Sequence, residues 1–257
     1  MNRINKLFHE KPAKLLNIYC TAGYPYLESL PGILKSLEKS GTDIVEIGMP
    51  YSDPLADGPV IQQSNMAALQ NGMTIQTLFD QIKDCRGYFN LPLILMGYLN
   101  PVLQFGIERF CTLAKEVGVD GIILPDLPVM EYKTEYATYF EKAGLHFIFL
   151  ITPETSVERI REIDLLSRGF IYAVSSSSTT GGDNDMSEQL EYFKRLKSMD
   201  LNNPVLAGFG IKDHDTFELV CKHTNGGIIG SAFIKVLALS DDIEATTRQF
   251  VKGILNN

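Results

Sequence analysis

Two carboxylates dominate the chemistry available to this chain. Glu46 stands inside the apolar run Asp43-Ile44-Val45-Glu46-Ile47-Gly48, and Asp57 follows in Ser52-Asp53-Pro54-Leu55-Ala56-Asp57-Gly58-Pro59. An unpartnered carboxylate in apolar surroundings is costly to ionise, so it finds a partner or keeps its proton with a raised pKa. Asp57 lies in a loop stiffened by Pro54 and Pro59. One acid in a dry place and one in a wetter place can divide acid and base roles between them. Side chains alternate along a strand, so Ile44, Glu46 and Gly48 share one face and Val45 and Ile47 the other. The competing reading makes Glu46 a structural carboxylate paired with a cation, yet no Lys or Arg falls within any other predicted strand. For Asp53 and Asp57 the competing reading is turn and cap chemistry, with Asp57 as N-cap of the following helix.

Two glycine-rich segments, Gly208-Phe209-Gly210 and Gly226-Gly227-Ile228-Ile229-Gly230-Ser231, offer backbone N–H groups to an anion. Ser231 stands where a short helix, Ala232–Leu237, should begin, and such a helix start suits phosphate. Glycine demanded by packing alone is the alternative. The run Ser175-Ser-Ser-Ser-Thr-Thr-Gly-Gly-Asp183 reads either as a lid over substrate or as a solvated connector. A Schiff-base mechanism needs a lysine in a strand; Lys212 and Lys235 fall just beyond strands. His9, His146, His214 and His223 lack metal-ligand spacing. Carboxylate-driven chemistry without a metal or a lysine imine is the expectation.

The elements that must position these groups follow from hydrophobic pattern. Apolar runs recur at Leu15–Gly23, Asp43–Pro50, Leu91–Leu99, Gly121–Leu127, His146–Pro153, Phe170–Ser176, Pro204–Gly210 and Gly226–Ala232. Their continuous apolarity suits strands buried on both faces. Helical patterns separate them at Leu27–Ser40, Phe105–Gly118, Glu131–Gly144, Val157–Ser167, Ser187–Met199 and Asp213–His223, and Ile243–Leu255 closes the chain. Val60–Arg86 reads as two helices broken at Asn71-Gly72, and residues 1–12 as an extra N-terminal helix. Strand then helix, eight times over, predicts an α/β fold: one (β/α)8 barrel domain over residues 1–257. An open doubly wound sheet is the weaker alternative, since no Gly-x-Gly-x-x-Gly turn follows the first strand. Barrel active sites lie at the C-terminal ends of the strands. Tyr19, Glu46, Tyr98, Asn100, Asp126, Tyr172, Ser175, Asp53 and Asp57 fall near that end. Asp43, Asp120 and His146 fall near strand starts, where stability is the default role.

Composition narrows the partners. The 257 residues carry a formal charge of −8 and no basic run, which argues against nucleic acid and anionic membrane. Cys20, Cys85, Cys111 and Cys221 are widely spaced, and the N-terminus lacks an apolar signal core. Reduced thiols in a cytoplasmic protein are the expectation.

The stretch from Glu46 to Pro59 closely resembles the signature of tryptophan synthase alpha subunits. Further landmarks run in the same order over almost the whole chain: Thr21-Ala-Gly-Tyr-Pro25, Met96-Gly-Tyr-Leu-Asn-Pro101, Val117-Gly-Val-Asp-Gly121, Pro125-Asp-Leu-Pro128, Thr180-Gly181, Gly208-Phe-Gly210 and Gly230-Ser-Ala232. The resemblance implies a lyase of tryptophan biosynthesis that splits indole-3-glycerol phosphate into indole and glyceraldehyde 3-phosphate by retro-aldol cleavage. It implies Glu46 as acid/base and Asp57 as the carboxylate that accepts the indole N–H. Tyr172 is implied beside the acid/base. Tyr19, Ile61, Ile123 and Phe209 are implied around the indole, and Gly181, Gly210, Gly230 and Ser231 around the phosphate. Thr180 is implied to bond Asp57 when the lid closes. The implied partner is a beta subunit in an alpha2beta2 complex, reached through Pro50–Leu55 and the loop at Asn100-Pro101. Pyridoxal phosphate would belong to that partner, leaving this chain without a cofactor. Ser176 and Ser178 stand where some members have Arg and Gly, and Tyr19 where some have Phe. A different phosphate-binding barrel, such as indole-glycerol-phosphate synthase or a sugar-phosphate epimerase, would want a strand lysine or metal ligands. A degenerate, purely regulatory relative would have lost Glu46 or Asp57.

Overall fold

A buried parallel sheet organises the molecule. The computed structural model describes residues 1–174, 184–208 and 210–256, with the backbone alone for 184–188. The strands are β1 (Leu15–Thr21), β2 (Ile44–Gly48), β3 (Leu93–Met96), β4 (Gly121–Ile123), β5 (His146–Phe147), β6 (Leu150–Ile151), β7 (Ile171–Val174), β8 (Val205–Gly208) and β9 (Gly226–Ile229). Their order is β5-β4-β3-β2-β1-β9-β8-β7-β6, and every pairing is parallel. The two ends of that order, β5 and β6, are consecutive in the chain. They are the halves of the predicted fifth strand, so the sheet closes on itself as a barrel. At the seam Ile148 N–H still bonds Ile122 O, while Phe149 O accepts from Tyr172 N–H. The single run expected over His146–Pro153 is thus interrupted at 148–149, where the chain changes partner.

The helices sit between strands as the pattern requires. They are α1 (Arg3–Glu10), α2 (Ser29–Lys39), α3 (Pro59–Gln70), α4 (Ile75–Cys85), α5 (Leu99–Phe105), α6 (Ile107–Glu116), α7 (Val129–Glu131), α8 (Ala137–Ala143), α9 (Val157–Leu166), α10 (Asn184–Ser198), α11 (His214–Cys221), α12 (Ser231–Ala238) and α13 (Ile243–Leu255). The break at Asn71-Gly72 holds: Gly72 takes φ +91°, and Thr74 caps α4 by accepting from Thr77 N–H. Two differences have local causes. The strand expected to run to Leu99 stops at Met96, and α5 starts at Leu99, whose N–H bonds the Asp126 carboxylate. Gly106, with φ +93°, then separates α5 from α6. The helix expected from Glu131 contains a π-helical turn at Tyr132–Tyr136 between α7 and α8.

Two apolar layers follow from strand alternation. Val45 and Ile47 join the large cluster between sheet and helices. Ile44 joins an inner cluster with Leu15, Ile94, Ile123, Ile148, Phe170, Leu206 and Ile228, onto which Ile4 of α1 packs. Burial of such side chains contributes roughly 1.5–3 kcal/mol each before entropy is counted. This inner layer is the floor on which the site rests.

Candidate active site

β1 and β2 bring the first acid into place. Tyr19 pairs with Glu46 and Asn17 with Ile44 in the β1–β2 register. Asn17, Tyr19, Ile44 and Glu46 therefore point to the barrel interior. Glu46 is 0% exposed. Its partner is no cation: the Asn17 amide Nδ2 donates to Glu46 Oε1 at 2.5 Å. Oε2 has no hydrogen-bond partner among the described residues. Burial pushes the Glu46 carboxyl up to about 8, with the Asn17 N–H pulling the other way. The carboxyl therefore sits where it can trade a proton near neutral pH.

Asp57 is held differently. It is not the N-cap of α3; Gly58 occupies that position. The Tyr98 hydroxyl donates to Asp57 Oδ2 at 3.1 Å and accepts from Ala56 N–H at 3.0 Å. One phenol after β3 thus fixes the loop after β2. Burial raises the Asp57 carboxyl to about 6, opposed by the Tyr98 hydrogen bond. Asp53 is exposed and accepts from the neighbouring Ser52 hydroxyl, which fits turn chemistry.

A cavity of about 640 Å³ opens at this end of the barrel. Its wall includes Tyr19, Asp57, Ile61, Met96 and Tyr172 on one side and Gly210, Lys212, Gly230, Ser231 and Lys235 on another. The size and mixed lining suit a small aromatic ligand with a charged tail. Gly230 is the N-cap of α12 without a side-chain cap, so the backbone N–H groups from Ser231 face an uncapped, positive helix end. Lys212 and Lys235 add positive charge on the same wall.

Two tyrosines complete the wall. Burial, then the negative charges of Glu46 and Asp57, hold the Tyr172 hydroxyl well above its usual pKa. Tyr19 is raised by burial and by the charges of Asp57 and Glu46. Both phenols stay protonated. Glycine makes room for them: a Cβ on Gly48 would lie 2.0 Å from Tyr19 Oη, and one on Gly208 would lie 2.4 Å from the Tyr172 ring.

Most expected site residues come together here; among the described ones, Ile123 and Glu46 are not on the cavity wall. Ile123 does not line the cavity; it belongs to the packed inner layer beneath it. Glu46 is likewise covered and stands behind no open surface of its own. Thr180, Gly181, Phe209 and the possible lid at 175–183 lie outside the described residues. Sequence reading missed Asn17 and the role of Tyr98, and it noted Lys212 and Lys235 only as unsuited to imine chemistry. Asn17 carried a signal: a polar residue two positions before Tyr19 in an apolar run shares its face. The acids at strand starts behave as expected. Asp43 pairs with Lys11 at 2.7 Å, and Asp120 with Arg3 at 3.0 Å and Arg86 at 3.5 Å.

Comparison with known proteins shows the family. The family model described as tryptophan synthase alpha chain matches residues 5–254. The chain is 54% identical over 238 residues to the tryptophan synthase alpha chain of Flavobacterium psychrophilum, covering 92% of this chain and 94% of that one. It is 52% identical over 255 residues to that of Christiangramia forsetii, covering 99% and 98%. Among solved structures, the tryptophan synthase alpha chain from Legionella pneumophila superposes with a TM-score of 0.89 at 32% identity, covering 100% of this chain and 97% of that one.

Proposed function

The chain belongs to the tryptophan synthase alpha chain family, and from that premise we propose how its own residues perform the cleavage of indole-3-glycerol phosphate to indole and glyceraldehyde 3-phosphate. The observation that carries the assignment of roles is the pair of unequal carboxyls. Glu46 is buried with a pKa near 8, and Asp57 stands on the cavity wall with a pKa near 6.

At pH 7 Glu46 holds its proton and Asp57 is mostly ionised. Glu46 gives its proton to the indole carbon that bears the glycerol chain. The ring becomes cationic, and the Asp57 carboxylate accepts the ring N–H and stabilises that charge. Glu46, now an anion, takes the proton of the adjacent glycerol hydroxyl. The hydroxyl oxygen forms a carbonyl, the carbon–carbon bond breaks, and its electron pair returns to the ring. Indole leaves, the aldehyde leaves, and Glu46 is again protonated. Every step is a proton or electron-pair shift within the substrate and Glu46, so the chain supplies no cofactor.

Tyr19, Ile61 and Tyr172 enclose the indole in this reading, together with Phe209. Gly181, Gly210, Gly230 and Ser231 receive the phosphate, aided by Lys212 and Lys235. The family resemblance also implies Thr180, outside the described residues, as a partner of Asp57. A beta subunit with pyridoxal phosphate receives the indole in an alpha2beta2 complex. Its contact surface is the segment from Pro50 to Leu55, where Leu55 is 90% exposed, and the neighbouring start of α5 at Asn100-Pro101. The Asn100 amide donates to the Tyr51 hydroxyl at 3.4 Å, and the Tyr51 and Tyr98 rings lie 5.3 Å apart, so this surface is tied to the holder of Asp57. We place the protein in the cytoplasm, in keeping with four free thiols. No helix among the described residues is long and apolar enough to cross a membrane.

The test is release of indole and glyceraldehyde 3-phosphate in equal amounts from indole-3-glycerol phosphate by the purified chain, with and without a beta subunit. Equimolar products are expected. Absence of indole under both conditions would overturn the assignment.

A further inference from the structure

We infer that Asn17 is a positioning residue for the reaction: its side-chain amide clamps Glu46 Oε1 and reserves Oε2 for proton exchange with the substrate. The inference rests on Glu46 being the acid/base and adds the group that aims it.

The two residues meet diagonally across neighbouring strands. Asn17 lies opposite Ile44, two residues before Glu46, on the same inward face. Both side chains are 0% exposed, and the Nδ2 to Oε1 distance is 2.5 Å. A carboxyl held at one oxygen loses the rotation that would exchange its two oxygens. Oε2 is left without a partner among the described residues. The inner apolar layer lies beneath. Asn17 lies one inward-facing pair deeper in the barrel than Tyr19 and Glu46, so it acts on the substrate only through Glu46.

The residue type fits the task. A lysine or arginine at position 17 would lock Glu46 as an anion, and an aliphatic side chain would leave burial unopposed. An uncharged amide donates one N–H, which favours the anion without fixing it. The other groups that feel the Glu46 charge are Tyr19 on β1 and Tyr172 on β7. Both phenols remain neutral. Asn17 is therefore the favourable partner that tunes Glu46 against its burial.

The experiment compares Asn17→Leu and Asn17→Asp with wild type in the indole-release assay across pH, with thermal melts to establish folding. Glu46 must start protonated, so its pKa is the basic limb of the kcat/KM profile. Loss of a hydrogen bond to a charged group should raise that limb by about one to two pH units in Asn17→Leu. At pH 7 kcat should fall about tenfold, as for a misaligned proton transfer, with KM changed less than about twofold. Asn17→Asp keeps the volume and places two carboxyls together, so its limb should rise further than that of leucine. Loss of packing alone would lower the melting temperature and leave the limb in place. An unmoved limb in either folded variant overturns the inference. Glu46→Gln separates the two levels: if it is inactive while the Asn17 variants are unaltered, only the positioning role fails. If Glu46→Gln retains wild-type turnover, the acid/base reading fails with it.

Discussion

The two ends of the barrel treat the same residue types in opposite ways. At the strand starts, Asp120 receives Arg3, Arg86 and the Leu93 N–H, and Asp43 receives Lys11 and the Leu16 N–H. These carboxylates have cations and backbone donors, and they tie α1 and the loops to the barrel. At the strand ends, Glu46 and Asp57 have one neutral donor each among the described residues, Asn17 and Tyr98, and both are pushed up toward neutral pH by burial. A carboxylate with enough partners is fixed and silent. A carboxylate given too few is costly to fold and free to exchange a proton. The barrel keeps the first kind below its apolar floor and the second kind above it.

Glu46→Gln is the strongest way to break this contrast. Turnover should fall by about 10²–10⁴-fold, the usual worth of an acid/base group. Stability should move the other way. Glu46 has a raised pKa in the folded protein, so the folded state binds the proton that the unfolded chain gives up above its ordinary value of 4.5. Wild-type stability therefore declines as pH rises from about 4.5 to about 8 because of this group. The amide removes that decline, worth at most about 5 kcal/mol. Denaturant titrations at pH 4.5 and pH 8 should show the gap between variant and wild type widening with pH. A gap that stays constant would mean that Glu46 is not held neutral by the fold.

Asp120→Asn probes the other end. It leaves Arg3 and Arg86 short of an anion beside a nearly buried position, and breaking such a pair costs about 3–5 kcal/mol. The melting temperature should drop by many degrees while kcat/KM per folded molecule stays within about twofold. A large loss of kcat/KM in the folded fraction would show that the two ends are coupled.

The smallest effect sharpens the comparison within the upper end itself. Wild-type kcat/KM should be bell-shaped, with its acidic limb near the Asp57 value of about 6 and its basic limb near the Glu46 value of about 8. Below the first, Asp57 loses the charge that stabilises the protonated ring; above the second, Glu46 has no proton to give. Tyr98→Phe removes the donor to Asp57, so the acidic limb should rise by about one unit and the basic limb should stay. At pH 7 the cost should be only about twofold. Movement of the basic limb instead would mean that the two carboxyls titrate as one coupled pair.

Sequence made the rhythm of strand and helix legible because continuous apolarity and helical spacing are local signals. It also made Glu46 and Asp57 legible, one as a charge inside an apolar run and the other by the prolines around it. What remained hidden depends on register. Asn17 could be placed on an inward face, but only the β1–β2 pairing sets it diagonal to Glu46. Tyr98 could be placed at a strand end, but its hydroxyl meets Asp57 across 41 positions of chain. Ile123 faces inward as its strand position requires, yet depth along the barrel decides whether such a side chain walls a cavity or fills the floor. Gly208 looked like part of an anion cradle, and the ring of Tyr172 is what leaves no room for a Cβ there.

The seam at Ile148-Phe149 has a consequence for how the molecule could be taken apart. A cut there severs no ladder within either half: β1 to β5 stay laced in one fragment and β6 to β9 in the other. Among the described residues the two arcs are laced along the β1–β9 edge and, beside the seam, by Arg168 N–H to Phe147 O. In the language of gene assembly the barrel is two half-wheels that share one hinge line and one weld. Glu46, Asn17, Tyr98 and Asp57 all ride on the first half-wheel, and the Gly230-Ser231 helix start rides on the second, so only a closed wheel can hold both ends of one substrate.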